Sequence, residues 1–155
     1  MRDACKVLQE IVQRHNIDST RPICKTKLLS MFYLFERSYY SDNGYTFVGS
    51  PYINYSKIPY CRKLEDILDE SSENHLFHES SLAEENCGRY RICNCPSHRA
   101  DTTLSSGVLD TTIEVVENHG NKDKEMIIEE IKSLPEVKNV QKYGLIRFED
   151  AKIEN

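Results

Sequence analysis

No stretch of this sequence approaches the roughly 20 consecutive apolar residues needed to cross a bilayer. Residues 1–16 alternate charged with apolar side chains instead of building a signal-peptide core. The expectation is a cytoplasmic chain without membrane contact. Glycine is scarce, with six scattered residues, and Gly49-Ser50-Pro51 is not followed by the Gly-Lys-Ser or Gly-Lys-Thr of a phosphate loop. Nucleotide hydrolysis therefore lacks its usual signature. Basic charge is also short: 20 Lys and Arg stand against 25 Asp and Glu, a net charge of -5. Broad binding to a phosphate backbone needs the opposite balance, concentrated on one face, so nucleic acid is a poor fit as partner.

What remains is an ordinary globular composition, 39% apolar and 29% charged over 155 residues, the usual size of one domain. The six cysteines, at positions 5, 24, 61, 87, 93 and 95, belong to a chain long enough to fold without covalent staples. They read as reduced thiols, with Cys5 and Cys24 as small buried hydrophobes in helical patterns.

Periodicity defines the elements. Ala4, Val7, Leu8, Ile11 and Val12 form one stripe of a first helix over 3–15. Asp18, Ser19 and Thr20 offer caps and Pro22 suits the first turn of a second helix, whose dense run Leu28, Leu29, Met31, Phe32, Leu34 and Phe35 marks it as the most buried element. It should stop before Asp42-Asn43-Gly44. Residues 46–48 and 52–55 are β-prone around Pro51, and a shorter helix over 61–70 carries Leu64, Ile67 and Leu68. A polar segment over 71–86 reads as a loop around a short strand, and 89–95 as a strand. Ser105 or Ser106 caps a helix with Val108, Leu109, Ile113 and Val116 that ends at Gly120, and Met126, Ile127, Ile131 and Leu134 form the apolar face of another before Pro135. The sum is an α+β fold: a single, mainly α-helical domain over 1–155, five helices around segment 28–35, and a small antiparallel β-sheet drawn from 46–55, 74–78, 89–94 and 145–148.

Catalytic constellations are missing. Cys87, Cys93, Cys95 and His98 are ligand types that zinc favours, but a Cys-x-Cys pair departs from the Cys-x2-Cys and Cys-x4-Cys knuckles of structural sites, so no metal and no cofactor are expected. His75 and His78 stand in a polar segment without a matching nucleophile. Carboxylate pairs such as Glu65 with Asp66 and Glu129 with Glu130 read as solvated charge. The expectation is not an enzyme. More informative are the tyrosines, because seven of nine (33, 39, 40, 45, 52, 55 and 60) crowd into 28 residues. Tyrosine buries a ring while presenting a hydroxyl, which suits core edges and binding surfaces alike. Tyr39, Tyr40, Tyr52 and Tyr55 are the candidate partner-binding residues.

The run Lys25-Thr26-Lys27-Leu28-Leu29-Ser30-Met31-Phe32-Tyr33-Leu34, followed by Tyr39-Tyr40, Gly44, Gly49-Ser50-Pro51-Tyr52 and Pro59, resembles the core signature of the Panacea domain, the SocA-like antitoxin family. The resemblance is densest over 23–70 and continues more weakly over 88–148, through Gly88-Arg89-Tyr90-Arg91 and Tyr143-Gly144-Leu145-Ile146. Where relatives usually carry Tyr-Gly-Pro, this chain has Tyr55-Ser56-Lys57. The resemblance implies a non-enzymatic antitoxin-type module, from bacteria, archaea or their phages, that neutralises a cognate toxin protein by contact. Some relatives act as proteolytic adaptors, which would add a protease or chaperone to the partners, and a homo-oligomer stays open. The alternative from another class is a zinc-dependent or redox-sensing regulatory module that binds nucleic acid through Arg89, Arg91 and Arg99.

Overall fold

The first apolar stripe becomes helix α1 (Arg2–Ile17), with Ala4, Val7, Leu8, Ile11 and Val12 all buried. The computed structural model describes residues 2–17, 22–55, 57–73, 77–81, 88–92 and 104–151. Strand β1 (Ile23–Cys24) leads directly into helix α2 (Lys25–Asn43). Pro22 therefore precedes a strand instead of opening the helix. Ile23 and Cys24 pair with a later strand, β5 (Gly88–Ile92), and this holds the backbone extended up to Cys24, which occupies the cap position without a side-chain cap bond. The candidate caps 18–20 lie outside the described residues.

Helix α2 is buried at Leu28 and at every position from 30 to 36. A helix covered nearly all round belongs in the middle of a core, and α2 packs against α1 and against two later helices, α4 (Ser106–His119) and α5 (Lys124–Lys132). It runs through Asp42 and Asn43, past the expected stop. It ends at Gly44, whose N–H donates to the Tyr40 carbonyl at 2.8 Å and whose left-handed φ of 79° turns the following chain away from the helix.

The β residues divide between two three-stranded antiparallel sheets rather than forming one. The first has order β1-β5-β4, with β4 at Phe77–Ser81 and β5 at Gly88–Ile92. The second has order β3-β2-β6, built from β2 (Tyr52–Asn54), β3 (Pro59–Tyr60) and β6 (Leu145–Ile146). Residues 46–48 form no strand despite their β-prone side chains. The N–H groups of Phe47 and Val48 donate to the buried Glu36 carboxylate at 2.7 and 2.9 Å, which takes them out of any ladder.

Helix α3 (Arg62–Glu73) buries Leu64, Ile67 and Leu68. Ser105 stands at the cap position of α4 without a side-chain bond, while Asp123 caps α5 by accepting from the Met126 N–H at 2.9 Å. Ile127, Ile128 and Ile131 are the buried face of α5, whereas Met126, expected on that face, is exposed because the helical turn of about 100° per residue carries it round to the opposite side. One hydrophobic cluster runs from Ala4 to Phe148 and joins all five helices.

Candidate protein-binding face

The second sheet draws together residues distant in sequence. After α5 the chain turns at Leu134, whose carbonyl accepts from Val137 and Lys138, and then returns toward β2. Asn54 secures the return: its N–H donates to the Gly144 carbonyl at 2.9 Å, its carbonyl accepts from Tyr143, and its side-chain amide donates to the Val140 carbonyl at 2.7 Å. Gly144 is sterically required, since a Cβ there would sit 2.8 Å from Val140 Cγ1 and 2.9 Å from the Gln141 carbonyl oxygen. Tyr143 beside it adopts a left-handed φ of 68°, unusual for a bulky residue.

This turn sets Tyr143 next to Tyr55, at 5.6 Å between ring centroids, and Tyr55 lies 5.3 Å from Tyr60. Tyr55, Tyr143 and Leu145 are 50%, 62% and 52% exposed, and the Lys142 ammonium lies 5.2 Å above the Tyr143 ring. The exposed group adjoins a groove of about 320 Å³ lined by Tyr40, Gly49, Pro51, Leu145, Arg147 and Phe148, among others. Tyr40 stacks on Phe148 at 5.6 Å along that groove.

The four tyrosines expected to face a partner are therefore not equivalent. Tyr55 is on the surface. Tyr40 is half-buried at the groove, and Tyr39 is half-buried in a separate aromatic cluster with Tyr45 and Phe47, at 5.8 and 5.0 Å. Tyr52 belongs to the core: it is 1% exposed and meets Tyr33 at 5.3 Å and Phe148 at 5.6 Å. Its hydroxyl is turned toward Glu36, yet no acceptor among the described residues meets it in hydrogen-bond geometry. Burial, then the nearby Glu36 carboxylate, push that hydroxyl far above the usual tyrosine range. Tyr143 and Leu145 are the face residues that the sequence pattern missed. Only the β2–β6 pairing, with Ile53 opposite Leu145, brings them to Tyr55.

Beneath the face lies a buried polar network. Tyr33 donates to Glu136 Oε1 at 3.1 Å and Arg37 donates to the same oxygen, while Glu136 Oε2 meets no partner among the described residues. Burial raises the Glu36 pKa, partly offset by the two backbone N–H groups that its carboxylate accepts. Cys5, Cys24 and Cys61 are buried, and burial pushes the Cys5 and Cys61 thiols up, away from the thiolate a nucleophile needs.

No group of three or more His, Cys, Asp and Glu side chains among the described residues could hold a metal ion. The candidate ligands Cys87, Cys93, Cys95 and His98, with His75 and Arg99, lie outside those residues; Arg89 and Arg91 are placed on β5 by its backbone. No helix among the described residues is long and apolar enough to cross a membrane. The chain matches no family model, no curated protein and no solved structure.

Proposed function

We propose that this chain is a non-enzymatic, antitoxin-type module that binds and neutralises a cognate toxin protein through the face formed by Tyr55, Tyr143 and Leu145. The observation that supports it most is the contiguity of those three exposed side chains with the aromatic groove at Tyr40 and Phe148. Large, fairly rigid rings with a polar tip supply much of the binding energy at interface centres. The toxin as partner class comes from the sequence resemblance to the Panacea domain. Its densest stretch supplies β2 and β3, and its weaker stretch supplies β6, which meet in this one sheet.

The test is rescue of growth in cells that express, one at a time, the genes encoded on either side of this one, scored for any that is toxic when expressed alone. Wild-type protein is expected to restore growth. The Tyr55→Ala/Tyr143→Ala variant, shown by thermal melt to be folded, is expected to fail, since truncating an interface anchor typically costs about 2 kcal/mol or more. Failure of wild-type protein to rescue removes the antitoxin assignment, and full rescue by the folded double variant removes this face. Toxin levels in the rescued cells separate direct blocking, which leaves the toxin intact, from delivery to a protease.

A further inference from the structure

The tyrosine face is ringed by positive charge in a chain whose net charge is -5. Lys142 lies over the Tyr143 ring, Arg147 is exposed and lines the groove, and Lys57 is exposed in the link between β2 and β3. None of these three is ion-paired among the described residues. Several cations elsewhere are matched within the chain: Lys25 to Glu65, Arg37 to Glu136, Lys122 to Glu130 and Lys132 to Glu129. Among the described residues, Glu149 is the one carboxylate lining the groove. An acidic protein that leaves three cations unmatched around its exposed aromatic rings offers a surface complementary to carboxylates.

Resting on the reading of this surface as a partner contact, we infer that the partner presents an acidic, extended segment bearing one large apolar side chain. Its carboxylates meet Lys57, Lys142 and Arg147, and its apolar side chain enters the groove beside Tyr40 and Phe148. The groove volume of about 320 Å³ is at the lower end of the roughly 300–1,000 Å³ of small-molecule sites, and it holds one aromatic or leucine side chain. Single-stranded RNA also uses rings and cations, but it needs a groove of positive charge that tracks several phosphates. Here the cations are three, and Glu149 stands among them.

The experiment uses three synthetic peptides of equal length with a central Phe flanked by Glu, by Ser or by Lys, and a uridine oligonucleotide, each titrated by fluorescence anisotropy. The Glu peptide is expected to bind best and to weaken as salt rises from about 50 mM to about 500 mM, where exposed charges are screened. Lys142→Glu/Arg147→Glu is expected to weaken it about tenfold, while Lys124→Glu, at the start of α5, leaves it unchanged. Equal binding of the Ser or Lys peptide, tighter binding of the oligonucleotide, or an unaffected charge-reversed variant overturns the inference. So does absence of binding by the Glu peptide at about 1 mM.

The rescue assay separates this inference from the reading beneath it. If Tyr55→Ala/Tyr143→Ala fails to rescue and Lys142→Glu/Arg147→Glu rescues fully, the face stands and the acidic partner is wrong. If both rescue fully, both are wrong. Failure of both folded variants supports both.

Discussion

The two ends of α2 differ in how their polar and apolar groups are satisfied. Near its start, a cleft of about 780 Å³ is lined by Arg14, His15, Lys27, Lys122 and Asp123 among others. Those groups are already partnered within the fold: Arg14 with Glu10, Lys122 with Glu130, and Asp123 with the Met126 N–H. Lys27 donates to the Gly120 carbonyl at 2.8 Å and lies 2.9 Å from His15 Nε2, which must therefore accept, leaving Nδ1–H to donate to Asn16 Oδ1. Asn16 Oδ1 also accepts from the Ile23 N–H, so the cluster joins the end of α1, the start of β1 and the turn after α4. At the far end the groove is smaller, yet exposed rings stand beside it without cover. Cavity size therefore does not tell which of the two ends is left uncovered. Groups already satisfied within the fold do structural work, and uncovered aromatic area is what a partner can use.

The largest expected effect falls on what both ends share. Phe32 is fully buried in the middle of α2 and packs 5.5 Å from Phe35. Phe32→Ala should cost about 3–5 kcal/mol in urea denaturation, the range for emptying a large buried aromatic site. A wild-type midpoint would mean that α2 is not the centre of the core.

Next comes the network under the tyrosine face. Glu136→Gln removes the charge partner of Arg37, and a cost of about 3 kcal/mol is expected, at the low end for a broken buried pair because the Arg37 side chain keeps 18% exposure. Glu136 also anchors the segment that returns toward Asn54, so amide exchange at Tyr143 and Gly144 should quicken in this variant. Unchanged exchange would show that the face is held by Asn54 alone.

Glu36 sharpens the contrast through pH. Burial raises its pKa above the ordinary carboxylate value, so the protonated form favours the folded state. That contribution is complete below the unfolded-chain pKa and is lost as pH rises through the higher folded one. Glu36→Gln leaves one acceptor where two backbone N–H groups need them, at a cost of about 1–3 kcal/mol. It should also remove this part of the pH dependence. Urea midpoints followed from pH 4 upward would show it as a shallower fall in the variant than in wild type; parallel curves would exclude Glu36 as the source.

Helices were the legible part of this fold because their apolar spacing depends only on neighbours three and four positions away. The stripe of α1 and the dense run of α2 appear where periodicity places them. Elements decided at long range were not legible. Ile23 and Cys24 are a strand because Tyr90 and Arg89 lie opposite them, and 46–48 is not one because Glu36 takes its N–H groups. The same holds at the face. Tyr52 reads like its neighbours in a tyrosine-rich stretch, but Tyr33 and Phe148 close over it. Tyr143 stands apart from that stretch in sequence and beside Tyr55 in space.

The smallest expected effect concerns Tyr143 itself. A left-handed conformation in a non-glycine residue costs about 1–3 kcal/mol and tends to be kept where a side chain is needed in a particular place. Here φ is 68°, and the ring so placed is 62% exposed, which limits what it can return to stability through contacts with Tyr55 and Lys142. Two substitutions isolate the backbone contribution because both remove the ring. Tyr143→Ala keeps a Cβ in the unfavourable region, whereas Tyr143→Gly relieves it and gives back part of the gain through the greater freedom of glycine in the unfolded chain. The glycine variant should be more stable than the alanine variant by about 1 kcal/mol in matched urea titrations, and both should lose rescue of the toxin-expressing cells. Equal stability of the two would show that the backbone at 143 is unstrained. Retained rescue by the glycine variant would show that the turn, and not the ring, is what the partner meets.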